Sequence, residues 1–166
     1  MHYGHIGLVK WIIEHTDLDE IWMLVSPNNP LKDSKILADE KKRLADLRTA
    51  LKDLNDKRIK PSDFEFNLPR PTYTAATLQK LHEQYPEHEF VLIIGQDNWD
   101  IFEQWRDYDE ILRQHEVIVY PRRQTTGNRR QTTGDRRQDS SNKGVTFLTE
   151  APYFDISSTE IRNKSI

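Results

Sequence analysis

The chain has no cysteine. That absence excludes disulfide frameworks, thiolate zinc sites, CxxC redox chemistry and a cysteine nucleophile. Long hydrophobic runs are missing too. The longest, Ile21 to Val25 and Phe90 to Ile94, are five residues each, against the ~20 needed to span a bilayer. No signal peptide or anchor is visible, so a folded soluble protein of the cytoplasm is expected. A strong charge of one sign is also lacking: the net is −3, too near neutral to imply a nucleic-acid or membrane partner. What is present is 166 residues, 36% hydrophobic and 31% charged. That suits one domain over 1–166, large enough to bury a core without disulfides or a structural metal.

The charge is unevenly placed. Arg122 to Asn142 reads RRQTTGN, RRQTTGD, RRQDSSN, three imperfect copies of a seven-residue unit. It holds six Arg and two Asp, a local net of +4 that leaves the rest of the chain at −7. The unit has no apolar residue to fill a coiled-coil seam. It reads as a solvated, disordered loop over 122–144, a tolerated insertion between two strands. The alternative is an RNA- or phosphate-binding arm.

Elsewhere helical and strand-like patterns alternate. Ile6, Val9 and Ile13, with Leu8 and Ile12, give a helix from Gly4 to His15. A strand follows over Glu20 to Ser26. Leu37, Leu44, Leu47, Leu51 and Leu54 share one face of a helix beginning near Ser34, capped by Asp33 or Ser34. Phe64 and Phe66 suggest a short alternating strand, and Thr74 to Tyr85 a helix. Glu89 to Ile94 reads as a strand buried on both faces. Asn98 to His115 is one broken or two short helices, then Glu116 to Tyr120 and Val145 to Thr149 are strands. The alternation predicts an α/β, doubly wound parallel sheet.

In such sheets ligands bind beyond the carboxyl ends of the strands. Four clusters fall there or at helix starts: His2-Tyr3-Gly4-His5, Pro27 to Lys32, Gly95-Gln96-Asp97 with Trp105, and Ile156 to Arg162. His2 and His5 open a helix, so both rings and the first-turn N–H groups can stabilise charge growing on a phosphoryl group. Read as HxxH, the same pair could hold zinc, but no third ligand is evident. It could also be an incidental pair at a chain start. Ser157 and Glu160 form a capping box. Capping does not require Ser158, Thr159 or Arg162, which together make a second phosphate cradle.

HYGH and ISSTEIR resemble the two signature motifs of the HxGH nucleotidylyltransferases. Within that superfamily the chain resembles the bacterial nicotinate-nucleotide adenylyltransferases, through SPNNPLK (Ser26 to Lys32), RPTYTAATL (Arg70 to Leu78) and IIGQDNWDIFEQWRDYDEIL (Ile93 to Leu112). The resemblance implies a Rossmann-like fold and adenylyl transfer from ATP, with Mg²⁺, to nicotinate mononucleotide, without a covalent enzyme intermediate. It implies that His2 and His5 contact the ATP phosphates, His2 near the reacting phosphorus, and that Ser158, Thr159 and Arg162, beside Ser157, hold the β- and γ-phosphates. It places Gly95 and Asp97 by the nucleotide sugars and Lys32 near the substrate. Trp105 would stack on the nicotinate ring, and Thr77 with its surrounding backbone would meet the pyridine carboxylate.

Each residue has a plainer reading. Trp105 could fill the core, Asp97 or Thr77 could cap a helix, and Lys32 could lie in solvent. Relatives of that kind carry a hydrophobic central strand and a Gly-rich loop ahead of HxGH, and continue past ISSTxIR. Met1 stands where that loop should end. The chain as it stands is therefore expected to expose two strand edges and to lose activity and stability. A sister transferase, such as one acting on phosphopantetheine, and a remnant that binds nucleotide without turnover are the competing functions.

Overall fold

The computed structural model describes residues 3–27, 40–121 and 142–153. They form two compact units that divide at Tyr73 and Thr74.

The first unit alternates α1 (Tyr3–His15), β1 (Ile21–Leu24), α2 (Glu40–Leu54) and β2 (Ile59–Ser62). The apolar spacing of α1 buries Leu8, Ile12 and Ile13. Side chains close its last turn, where backbone carbonyls lack helical partners. His15 Nδ1 lies 2.7 Å from the Trp11 carbonyl and Thr16 Oγ1 donates to the Ile12 carbonyl at 2.7 Å. In α2 the buried residues are Leu44, Leu47 and Leu51, three and four apart as one helical face requires. The capping role expected of Asp33 or Ser34, and Leu37 with it, lie outside the described residues. After α2 comes Asn55 at φ 52°, a left-handed conformation that asparagine tolerates better than most residues.

β1 and β2 pair in parallel, from Ile21 opposite Ile59 to Leu24 opposite Ser62. Pro61 fits β2 because that strand has one partner among the described residues, so its missing N–H costs no ladder bond. The short strand expected at Phe64 and Phe66 is instead a 3₁₀ turn, Phe64–Asn67. The Phe66 and Leu68 amides donate to the carbonyls of Asp63 and Glu65. It is the intervening Glu65, 6% exposed, that turns inward, with Thr72 Oγ1 3.5 Å from its carboxylate. Two arginines add polar ties. Arg43 donates to the Ser26 carbonyl at 2.7 Å, and Arg70 pairs with Glu40 at 2.8 and 2.9 Å.

The second unit holds α3 (Thr74–Gln84), β3 (Leu92–Gly95), α4 (Gln96–Asp100), α5 (Tyr108–Gln114), β4 (Val117–Tyr120) and β5 (Val145–Phe147). Its sheet runs β3-β4-β5, parallel throughout. The pattern of burial on both faces belongs to the central strand, where Val117, Ile118 and Val119 are all buried. In β3 only Ile94 and Gly95 are buried, because β3 has one strand neighbour among the described residues. Around β4 pack Leu78, Trp99, Phe102, Ile111, Leu112 and Val145. Each buried aliphatic or aromatic side chain here stabilises the unit by about 1.5–3 kcal/mol.

All of the repeat but Asn142 lies outside the described residues, yet the strands on either side set what the connection must reach. Val117 pairs with Val145 and Val119 with Phe147, so β4 and β5 run the same way. The chain must return from the carboxyl end of one strand to the amino end of the next. A tolerated insertion in a hairpin could be cut to a few residues; a parallel crossover needs a dozen or more. A connection between these two strands is thus constrained in length by the parallel pairing, whatever its sequence.

Candidate active site

Among the residues singled out from sequence, His5, Thr77, Gly95, Asp97 and Trp105 are described. His2, Lys32, Ser157, Ser158, Thr159 and Arg162 lie outside the described residues. His5 belongs to the first unit and the other four to the second.

His5 sits in the first turn of α1, half-buried, with its Nδ1 shielded from solvent. α1 begins at Tyr3, so the free amides of a helix start are next to this imidazole, the combination that suits an anion. Among the described residues no three His, Asp or Glu side chains cluster as a metal site would require.

In the second unit the chain leaves β3 at Gly95 and turns at once into α4. Gly95, extended at φ −79° and ψ 157°, is the N-cap of α4, so Asp97 is not its capping residue. Asp97 is exposed in the first turn. A side chain at Gly95 would have to displace its neighbours. A methyl group built on Gly95 would stand 2.6 Å from Asp97 Oδ1 and 3.2 Å from Cε2 and Cζ of Tyr120. The carboxylate therefore folds back over the strand end, which is where a parallel sheet presents its ligands.

Thr77 lies in α3 with its side chain 3% exposed. It is neither at the helix start nor on the surface, so capping does not explain it. Trp105 ends the 3₁₀ turn Phe102–Gln104. Its ring is half-buried, 5.2 Å from that of Phe102 at 46°. The indole Nε1–H is buried and has no acceptor among the described residues, a state that costs about 1–3 kcal/mol. Trp99, by contrast, is 1% exposed and packs against Phe102 at 5.1 Å and Phe147 at 5.7 Å. The two tryptophans should separate in stability measurements. Trp99→Ala is expected to cost ~3–5 kcal/mol. Trp105→Ala should cost clearly less, because it removes an unsatisfied donor along with a half-exposed ring. Urea melts of both variants test this, and equal losses would make Trp105 an ordinary core residue.

Sequence reading overlooked Tyr120, which closes β4 opposite Gly95. Periodicity marks Tyr120 as the end of an apolar strand but carries no information on which strand it pairs with.

Comparison with known proteins bears on the whole arrangement. The family model described as cytidylyltransferase-like matches residues 1–164. A Flavobacterium johnsoniae protein named probable nicotinate-nucleotide adenylyltransferase is 41% identical over 163 residues, covering 98% of this chain and 79% of the relative. A Bacteroides thetaiotaomicron protein of the same name is 40% identical over 162 residues, covering 98% and 74%. Among solved structures, Plasmodium falciparum nicotinic acid mononucleotide adenylyltransferase complexed with NaAD is similar with a TM-score of 0.70, at 17% identity, over 97% of this chain and 76% of that one. At that identity the likeness speaks for the fold, a Rossmann-like arrangement of parallel strands and helices.

Proposed function

The chain belongs to the cytidylyltransferase-like family, and from that premise we propose that it is a nicotinate-nucleotide adenylyltransferase of NAD biosynthesis. The observation that carries this reading is the match, over 98% of the chain, to relatives of that name. It favours nicotinate mononucleotide over the substrates of sister transferases.

In this reaction a phosphate oxygen of nicotinate mononucleotide attacks the α-phosphorus of ATP. The bond to the bridging oxygen of the β-phosphate breaks, and pyrophosphate departs with the electron pair. No residue need become covalently attached. Catalysis then consists of positioning and charge stabilisation. We assign His2 and His5 to the phosphates around the reacting phosphorus, and Ser157, Ser158, Thr159 and Arg162 to the β- and γ-phosphates. Gly95 and Asp97 are assigned to a ribose, and Lys32, Thr77 and Trp105 to the nicotinate substrate. The half-buried His5 at a helix start and the Asp97 carboxylate over the end of β3 support these assignments. Mg²⁺ would enter as part of the ATP complex, carried by its phosphates. Among those residues no helix is long and apolar enough to cross a membrane.

Extended by a hydrophobic strand and Gly-rich loop ahead of HYGH and incubated with ATP, Mg²⁺ and nicotinate mononucleotide, the protein is expected to release one pyrophosphate per dinucleotide formed. Pyrophosphate no higher than in the enzyme-free control would defeat the proposal. Trp105→Ala should raise KM for the mononucleotide by about 5- to 150-fold, the equivalent of ~1–3 kcal/mol for lost ring stacking, and leave KM for ATP within about twofold.

A further inference from the structure

The register of the second sheet sets Gly95 and Tyr120 side by side as the last residues of β3 and β4. Paired residues of neighbouring parallel strands project from the same face of a sheet. The face on which Gly95 has no side chain is therefore the one from which Tyr120 emerges. Its ring reaches across so far that Cε2 and Cζ would stand 3.2 Å from a methyl group on Gly95. Asp97 Oδ1 enters the same space, at 2.6 Å from that position. A half-buried aromatic ring and an exposed carboxylate thus share one niche, and glycine keeps it open.

An exposed aspartate in the first turn of a short helix would ordinarily sample several rotamers. Here the backbone of Gly95 lies beneath the carboxylate and the Tyr120 ring occupies the neighbouring volume. Building on the assignment of Asp97 to a ribose, we propose that Tyr120 is a positioning residue of the nucleotide site. Its ring holds the Asp97 carboxylate in the orientation that accepts hydrogen bonds from the vicinal hydroxyls of a bound ribose. A carboxylate so fixed discriminates a ribose from a sugar without those hydroxyls, because the analogue leaves an oriented acceptor unpaired. Loss of the ring removes one wall of that niche and widens the range of carboxylate orientations, and part of the binding energy goes into narrowing it again.

Both substrates carry such a ribose, and two pairs of ligands distinguish them. One is ATP against 2′,3′-dideoxy-ATP. The other is nicotinate mononucleotide against its 2′,3′-dideoxy form. Affinities are read from tryptophan fluorescence, which needs no turnover. The unsubstituted protein is expected to prefer the ribose by at least tenfold in one pair, and that pair identifies the sugar. Asp97→Asn should shrink the preference. Tyr120→Ala should reduce it about tenfold, whereas Tyr120→Phe, which retains the ring, should preserve it. Tyr120→Leu serves if the alanine variant does not fold.

A ring that only supports packing would shift the melting temperature and leave the ratio unchanged. That outcome overturns the proposal. So does an equal loss in the phenylalanine and alanine variants, or the absence of any ribose preference in the unsubstituted protein. Ribose preference that depends on Tyr120 in a protein that forms no dinucleotide would uphold the positioning role and refute adenylyl transfer.

Discussion

Replacing residues 122–141 by two glycines is expected to abolish the pairing of β5 with β4 and the cooperative melt of the second unit. Two glycines leave Tyr120 and Asn142 separated by Pro121 and the linker, a reach of ~14 Å when fully extended. The path must run back along β4, at ~3.3 Å per residue, step sideways by ~4.8 Å, and clear the side chains on a face of the sheet. A taut segment would have to pass through the strands themselves. What is lost is β5, with the buried Val145 and with Phe147, whose ring meets Trp99 edge-on at 83°. Replacing 122–141 by a Gly/Ser stretch of equal length should leave the melting temperature within a few degrees and turnover within a few-fold. Near-ultraviolet circular dichroism and thermal melts of the two variants separate length from sequence. An undisturbed melt in the two-glycine variant would show that the parallel pairing is wrong.

His2→Ala should lower kcat by about 10²–10³-fold while KM for both substrates stays within about threefold. The reason is timing. Charge on the non-bridging oxygens of the α-phosphorus grows only as the new bond forms, so a donor aimed there acts on the transition state and hardly on the bound substrates. Removal of one such donor in other enzymes has an effect of this size. If KM for ATP instead rises tenfold or more with kcat preserved, His2 is a ground-state phosphate ligand and not the residue nearest the reacting phosphorus.

Much of this was legible in the sequence because it depends on local periodicity. The helical spacing of Leu44, Leu47 and Leu51 marks their buried face in α2. The apolar runs at Ile21 and Val117 mark β1 and β4. The reading failed at Phe64 and Phe66, where a two-residue alternation suggested a strand. Amide bonds three residues back and an inward Glu65 made it a turn, while the strand lay just before it around Pro61. Of the candidate site, Gly95 and Asp97 were visible because they follow a strand. Tyr120 was not, since it joins them only through the register of two strands more than twenty residues apart. Parallel pairing of β4 with β5 is likewise a tertiary property, invisible in the periodicity of either strand.

The bond from Arg43 to the Ser26 carbonyl acts on a different quantity, the conformational freedom of the chain between its ends. Ser26 follows β1 and Arg43 lies in the first turns of α2, so this contact fastens together the two ends of the segment that carries Lys32. Closing a loop costs entropy whether or not a substrate is present, by an amount that rises only slowly with length. With the ends already joined, that cost falls on folding and on no later event. Arg43 thereby moves into the folding of the first unit an entropic cost that the connection between β1 and α2 must meet.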